Sequence, residues 1–266
     1  MTRQSFRSVV SPFLPRRIKN AFGKKEFDDH PSRLRIGCFG GFQVAYRAGT
    51  ADEAVLDDSF DRDIFFTGVP EYQAAADHIV IDVGAHIGTF SLLASARVPR
   101  GKVYAIEACE DTCNFLKINV ALNGAANVSV HHLAITDARG TSTLYYDAGN
   151  WGNSVVAPLS AGSETVESCS LTDFMDDNGI QHCNFMKLNC EGAEFPILLT
   201  TPSSVLRRFE MILVLYHCDL WKQNTEQDLL AHLAASGFEC KLRNQTEKRG
   251  WIVATSLSRL ALGRSL

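Results

Sequence analysis

Short apolar runs recur along the middle of this chain, and each is followed by a stretch with helical spacing of its apolar residues. Residues 79–83, 102–107 and 128–132 are the runs, and 88–97 and 110–123 lie between them. Apolar strands that alternate with helices predict a parallel sheet covered on both faces. Within 110–123, Glu110 and Asp111 favour a helix start, Cys113, Leu116 and Val120 recur on one face, and Gly124 ends it.

The flanks extend this pattern. Residues 34–47 predict a strand pair around Gly40-Gly41, and 61–69 a helix stopped before Pro70. Thr141 to Tyr146 predicts a strand, whereas 147–154 is rich in turn formers and predicts an exposed loop. Beyond it come a helix over 171–178, a strand over 184–188, a turn at Glu191-Gly192 and a strand over 211–216. Thr225-Glu-Gln-Asp228 opens a helix with a capping-box-like pattern, Leu229, Leu230 and Leu233 give its buried stripe, and Gly237 ends it. Strands over 239–243 and 250–255 complete the sheet. The expected fold is α/β: a doubly wound, mostly parallel, Rossmann-like sheet of about seven strands with helices on both faces, plus a small N-terminal extension. The expected units are a basic leader over 1–25, a cap over 26–72, the main domain over 73–257 and a tail over 258–266.

With 266 residues, 45% of them apolar, the chain can bury a substantial core. Its net charge of −4 hides an asymmetry, because residues 1–25 carry seven Lys or Arg side chains and no acid. The body is therefore acidic, and no nucleic-acid partner is expected. The basic N-terminus mixes apolar and cationic residues suited to weak contact with an anionic membrane surface, but Pro12 and Pro15 interrupt any long amphipathic helix, which favours a frayed or docked leader. The eight cysteines form no C-x-x-C pair, so no metal site is expected and reduced core thiols are. Without a signal-peptide pattern or an apolar run near 18 residues, the expected location is the cytoplasm.

The candidate chemistry starts at Ile81-Asp-Val-Gly-Ala-His-Ile-Gly88. Gly84 and Gly88 follow a strand, where a missing side chain lets a ligand approach the backbone. Glu107 ends the next strand, 19 residues beyond Gly88, where a carboxylate can accept ribose hydroxyls. The spacing is Gly-x-x-x-Gly and lacks the third glycine of a dinucleotide fingerprint, which leaves a nicotinamide oxidoreductase a distant possibility. Asp82 would repel a pyrophosphate but suits a cofactor that carries an ammonium and a sulfonium, as S-adenosylmethionine does.

These residues resemble the class I methyltransferases of the FkbM type, many of which methylate hydroxyl groups on sugars or natural products. The resemblance spans roughly residues 60–256. It rests on Ile81 to Gly88, Val103-Tyr-Ala-Ile-Glu107, Leu116-Lys-Ile-Asn119, Leu133-Ala-Ile-Thr-Asp137 with Gly140, Leu171-Thr-Asp-Phe174, and Phe185-Met-Lys-Leu-Asn-Cys-Glu-Gly-Ala-Glu194. It implies S-adenosylmethionine as cofactor, with Asp82, Gly84 and Gly88 at its methionine end, Glu107 at the ribose, and Leu133 and Ala134 at the adenine. Ala85 and His86 complete the glycine turn, and Ala108 follows Glu107. His86 is equally well explained as a turn residue facing solvent.

An alcohol acceptor must lose a proton during or after attack on the methyl. His217, at the end of the strand over 211–216, is the first choice of base, because its reference pKa near 6.5 leaves a neutral acceptor available. Lys187 and Glu191 are expected to orient the acceptor or each other. Glu191 and Glu194 also read as a helix start, and Lys187 as a strand-end residue whose amine reaches solvent. The family pattern usually reads Lys-x-Asp-x-Glu-Gly-Ala-Glu, with a glutamate two residues before the histidine of the next strand. This chain has Asn189 and Leu215 at those positions. The reading is an O-methyltransferase for a small hydroxylated or sugar-like acceptor, with Trp151 and Asn153 as possible sugar contacts. The alternative is a cofactor-binding pseudoenzyme or interaction module.

Overall fold

The structure, a computed structural model, describes residues 34–147, 152–160 and 162–263. The basic leader and Trp151 lie outside them. A hairpin, β1 (Leu34–Phe39) and β2 (Phe42–Arg47), is followed by α1 (Ala51–Leu56), which runs into a π turn at Asp57–Asp61. Next come β3 (Ile79–Val83), α2 (Thr89–Arg97), β4 (Lys102–Glu107), α3 (Glu110–Leu122) and β5 (Val128–His132). The middle holds β6 (Ala134–Thr136), β7 (Gly140–Tyr145), β8 (Ser163–Ser170) and α4 (Leu171–Asp177). The chain continues through β9 (Phe185–Leu188), α5 (Glu194–Thr200), α6 (Ser203–Leu206), β10 (Met211–His217) and α7 (Glu226–Ala235). It closes with β11 (Phe238–Arg243), β12 (Arg249–Ser256) and α8 (Leu257–Gly263).

Seven strands form the central sheet in the order β11-β12-β10-β9-β3-β4-β5. Only β12 runs against the rest, antiparallel to both β10 and β11. The strand order reverses between β3 and β9, so the carboxyl ends of these strands open a crevice for a ligand. Alternation along the strands sorts the core. Ile81, Val83, Met186, Leu188, Ile212 and Val214 pack on one face with Leu229 and Leu233 of α7. Val80, Val103, Phe185, Met211 and Leu213 pack on the other with Phe65, Phe66 and Phe90. Truncating any of these leucines to alanine costs about 2–5 kcal/mol.

The N-terminal hairpin docks on α3 through polar contacts. Asn119 and Asn123, one turn apart, each accept a backbone N–H of β2 and donate to a β2 carbonyl, Asn119 at Ala45 and Asn123 at Gln43. Arg47 and Asp52 form a buried two-point ion pair, with Nε–Oδ2 and Nη2–Oδ1 both 2.9 Å.

Two expectations fail. The helix expected over 61–69 lies earlier, from Ala51 to Asp61, capped by Thr50. Asp63 adopts a left-handed φ of +41°, and the side chains that looked helical, Phe65, Phe66 and Val69, are buried from turns instead. Their spacing recorded burial, not a helix. The second miss is a separate three-stranded sheet, β6-β8-β7. β8 reads Ser-Glu-Thr-Val-Glu-Ser-Cys-Ser, with too few apolar residues to signal a strand, although Val166, Ser168 and Cys169 are buried.

Candidate functional site

Sheet register builds the floor of the crevice. Asp82 of β3 lies directly opposite Lys187 of β9, so both side chains leave the same face. The Lys187 ammonium donates to Asp82 at 2.9 Å and to the Gly84 carbonyl at 2.7 Å, and Ser91 Oγ donates to the other Asp82 oxygen at 2.6 Å. Asp82 is fully buried, and Lys187 is 4% exposed. The Asp82 carboxylate is paired under the crevice and does not line it, because the register already supplies an ammonium. Lys187 is likewise no strand-end residue reaching for solvent.

The glycine turn follows. Gly84 has φ +75°, and a Cβ there would sit 1.9 Å from the Asn189 carbonyl oxygen, so any side chain would push β3 and β9 apart. Gly88, at φ +90°, is tight against Leu116 of α3 and serves helix packing behind the crevice. Between them, Ala85 and His86 reach the crevice wall. His86 points its Nε2 towards the buried Asp52 carboxylate at 3.5 Å, which ties the turn to α1.

Glu107 lies directly against this turn. One of its oxygens accepts the His86 N–H at 2.8 Å and the other the Cys109 N–H at 2.9 Å. Burial pushes its carboxyl above the usual glutamate range, while the two N–H donors and Lys187 pull it back. Each oxygen keeps a lone pair, and its position is fixed by backbone. Ala108, Leu133 and Ala134 continue the wall as a small apolar slot, closed by Leu144 of β7.

The other end of the crevice is built from the β9–α5 turn. Glu194, fully buried, accepts the N–H groups of Cys190 and Gly192 and so clamps the turn. Glu191 is held at φ +49°, an uncommon conformation for a side-chain-bearing residue, and its carboxylate lines the crevice. His217 is fully buried, with Nδ1 3.2 Å from Glu194 and Nε2 3.5 Å from Glu191. Burial favours its neutral form, but the flanking Glu194 and Glu191 outweigh that and raise its pKa above the ordinary histidine value. His217 is thus buried between two carboxylates and is not among the residues that line the crevice. It stands behind Glu191, whose own carboxyl is pushed up by burial against the opposing pull of His217.

Asn189 and Leu215 both line this end. Asn189 Oδ1 is a buried acceptor without a hydrogen-bond partner among the described residues. Leu215 lies opposite Trp251 in the β10–β12 register, and both reach the crevice alongside Phe65. Gly152 lies directly over the Glu191 carboxylate, close enough that a Cβ would fall 2.3 Å from its Cδ. Asn153 lines the crevice too, while its Oδ1 accepts the Asp147 N–H. Sequence reasoning missed Asp58, Phe65 and Trp251. The misplaced helix hid the first two, and Trp251 becomes visible as a site residue only once β12 is known to pair with β10.

A family model described as the methyltransferase FkbM domain matches residues 82–240. "Methyltransferase sdnD" of Sordaria araneosa is 28% identical over 151 residues, covering 45% of this chain and 58% of that protein. "Methyltransferase 1" of Beauveria bassiana is 28% identical over 143 residues, covering 46% of this chain and 57% of that protein. The matches thus span little more than half of each relative. Among solved structures, an FkbM methyltransferase from Methylobacillus flagellatus KT superposes with a TM-score of 0.51 at 14% identity, covering 72% of this chain and 47% of that one. That likeness shows the class I methyltransferase fold, and the family model shows membership: this chain belongs to the FkbM methyltransferase domain family.

Proposed function

We propose that this methyltransferase takes its methyl group from S-adenosylmethionine and delivers it to a hydroxyl of a small molecule or sugar unit. The observation that carries the reading is one crevice with a nucleoside-type end at Glu107 and a carboxylate, Glu191, at the other. The donor fits the residues present. Glu107 is fixed by two backbone amides to accept ribose hydroxyls, Gly84 leaves the backbone open, and Ala108, Leu133 and Ala134 leave a flat apolar slot for adenine. When bound, this donor supplies a methyl already activated by its sulfonium.

The protein's task is then alignment and proton removal. Glu191 accepts the hydroxyl proton, since it is the carboxylate at the proposed acceptor end. His217 is a positioning residue, with Nδ1 against Glu194 and Nε2 3.5 Å from Glu191. Lys187 and Asp82 fix the floor between the two ends. Asn189 offers Oδ1 to an acceptor hydroxyl or amide, while Leu215, Phe65 and Trp251 make an apolar wall on which a sugar face or ring can lie. Glu191 with its histidine backing favours turnover over a pseudoenzyme.

Residues 73–257 are the proposed catalytic unit, with 26–72 as its cap, and the reducing cytoplasm is the proposed setting. Among the described residues, no helix is long and apolar enough to cross a membrane. The test is an acceptor screen with methyl-labelled S-adenosylmethionine over glycosides, phenols, hydroxy acids and amines. Label on a hydroxyl oxygen supports the reading. Label confined to amines, or tight donor binding with no transfer to any class, overturns the O-methylation claim.

A further inference from the structure

Three carboxylates, Asp58, Glu107 and Glu191, line the crevice among the described residues. Glu107 stands at the nucleoside end and Glu191 beside His217. Asp58 comes from the π turn that follows α1, a kind of irregularity frequent at functional sites. The turn is held against the start of α2 by a buried hydrogen bond, Ser59 Oγ to Thr89 Oγ1, at 2.7 Å. Asp58 and Thr89 therefore share the end of the crevice formed by the glycine turn, with Val55 one helical turn earlier. Asp58 Oδ1 accepts from the exposed Arg62 guanidinium at 2.6 Å, and Oδ2 has no hydrogen-bond partner among the described residues.

A donor with an amino-acid arm brings an ammonium to the end of the site at the glycine turn, where a carboxylate can accept it. Asp82 is not available, since it is fully buried below the crevice in its pair with Lys187 and is not among the lining residues. We propose that Asp58, reaching in from the N-terminal cap, accepts the α-ammonium of the methyl donor's amino-acid arm and makes the cap part of the donor site. The proposal rests on S-adenosylmethionine being the donor. Partial burial lifts the Asp58 carboxyl, and an adjacent ammonium would favour its charged form.

The experiment is calorimetric titration of wild type and Asp58→Asn with S-adenosylhomocysteine and with its analogue lacking only the α-amino group. Wild type should bind the amino form about tenfold or more tightly than the analogue, the scale of one charge-assisted hydrogen bond. Asp58→Asn should bind the two about equally while retaining wild-type affinity for the analogue, which shows that the crevice is still folded. Equal discrimination by wild type and variant overturns the assignment, as does a loss of turnover with donor affinity unchanged. If wild type binds neither compound, the donor reading itself fails, a different result from the failure of Asp58.

Discussion

The two ends of the crevice are made in different ways. At the donor end, Glu107 is pinned by two backbone N–H groups and Gly84 by strand proximity, so its geometry comes from main chain and sheet register. At the acceptor end, Glu191 is placed by a left-handed turn, a buried Glu194 and a histidine caught between two carboxylates. That end depends on side chains from β9, β10, β12 and the segment after β7. The proposed donor end, built on main chain, would thus tolerate side-chain substitutions at the proposed acceptor end, where Asn189 and Leu215 lie.

The largest effect that would sharpen this contrast is on turnover. Glu191→Gln should lower kcat by about 10²–10⁴, the usual range for losing a general base, with S-adenosylhomocysteine affinity unchanged by titration. A full-rate variant would remove Glu191 as the base. Lys187→Met should break the shared floor by leaving Asp82 buried and unpaired, at a cost of about 3–5 kcal/mol in urea unfolding. A midpoint within a few tenths of wild type would show that the pair holds neither end in place.

A smaller effect concerns pH. The folded pKa of His217 lies above its unfolded value, so its ionic contribution to stability is fully present below about pH 6.5 and is lost as pH rises through the folded pKa. The stability gap between wild type and His217→Gln should therefore be widest near pH 6 and narrow towards pH 9. A gap that widens with pH would mean that the histidine is held neutral.

The same contrast explains what the sequence disclosed. The placing of Gly84 and Glu107 on one crevice was legible because its signals are local: a strand, a glycine and a carboxylate ending the next strand. Even there the burial of Asp82 was not legible, since only the pairing of β3 with β9 reveals its ion pair with Lys187. At the proposed acceptor end the sequence pointed to His217, but its burial between Glu194 and Glu191 was not legible, because those carboxylates reach it across a turn. Trp251 depends on an antiparallel pairing, and Asp58 on a helix whose apolar spacing pointed ten residues too far along the chain. Strands β6 and β8 were missed for want of apolar alternation.

The proposed division gives donor binding to one end of the crevice and proton removal to the other. Its most direct test is one calorimetric series with S-adenosylhomocysteine on wild type, Glu107→Ala and Glu191→Gln. The expected result is saturable binding by wild type, a loss of about 1–3 kcal/mol for Glu107→Ala and wild-type affinity for Glu191→Gln. No binding by wild type, or equal losses in the two variants, would contradict it.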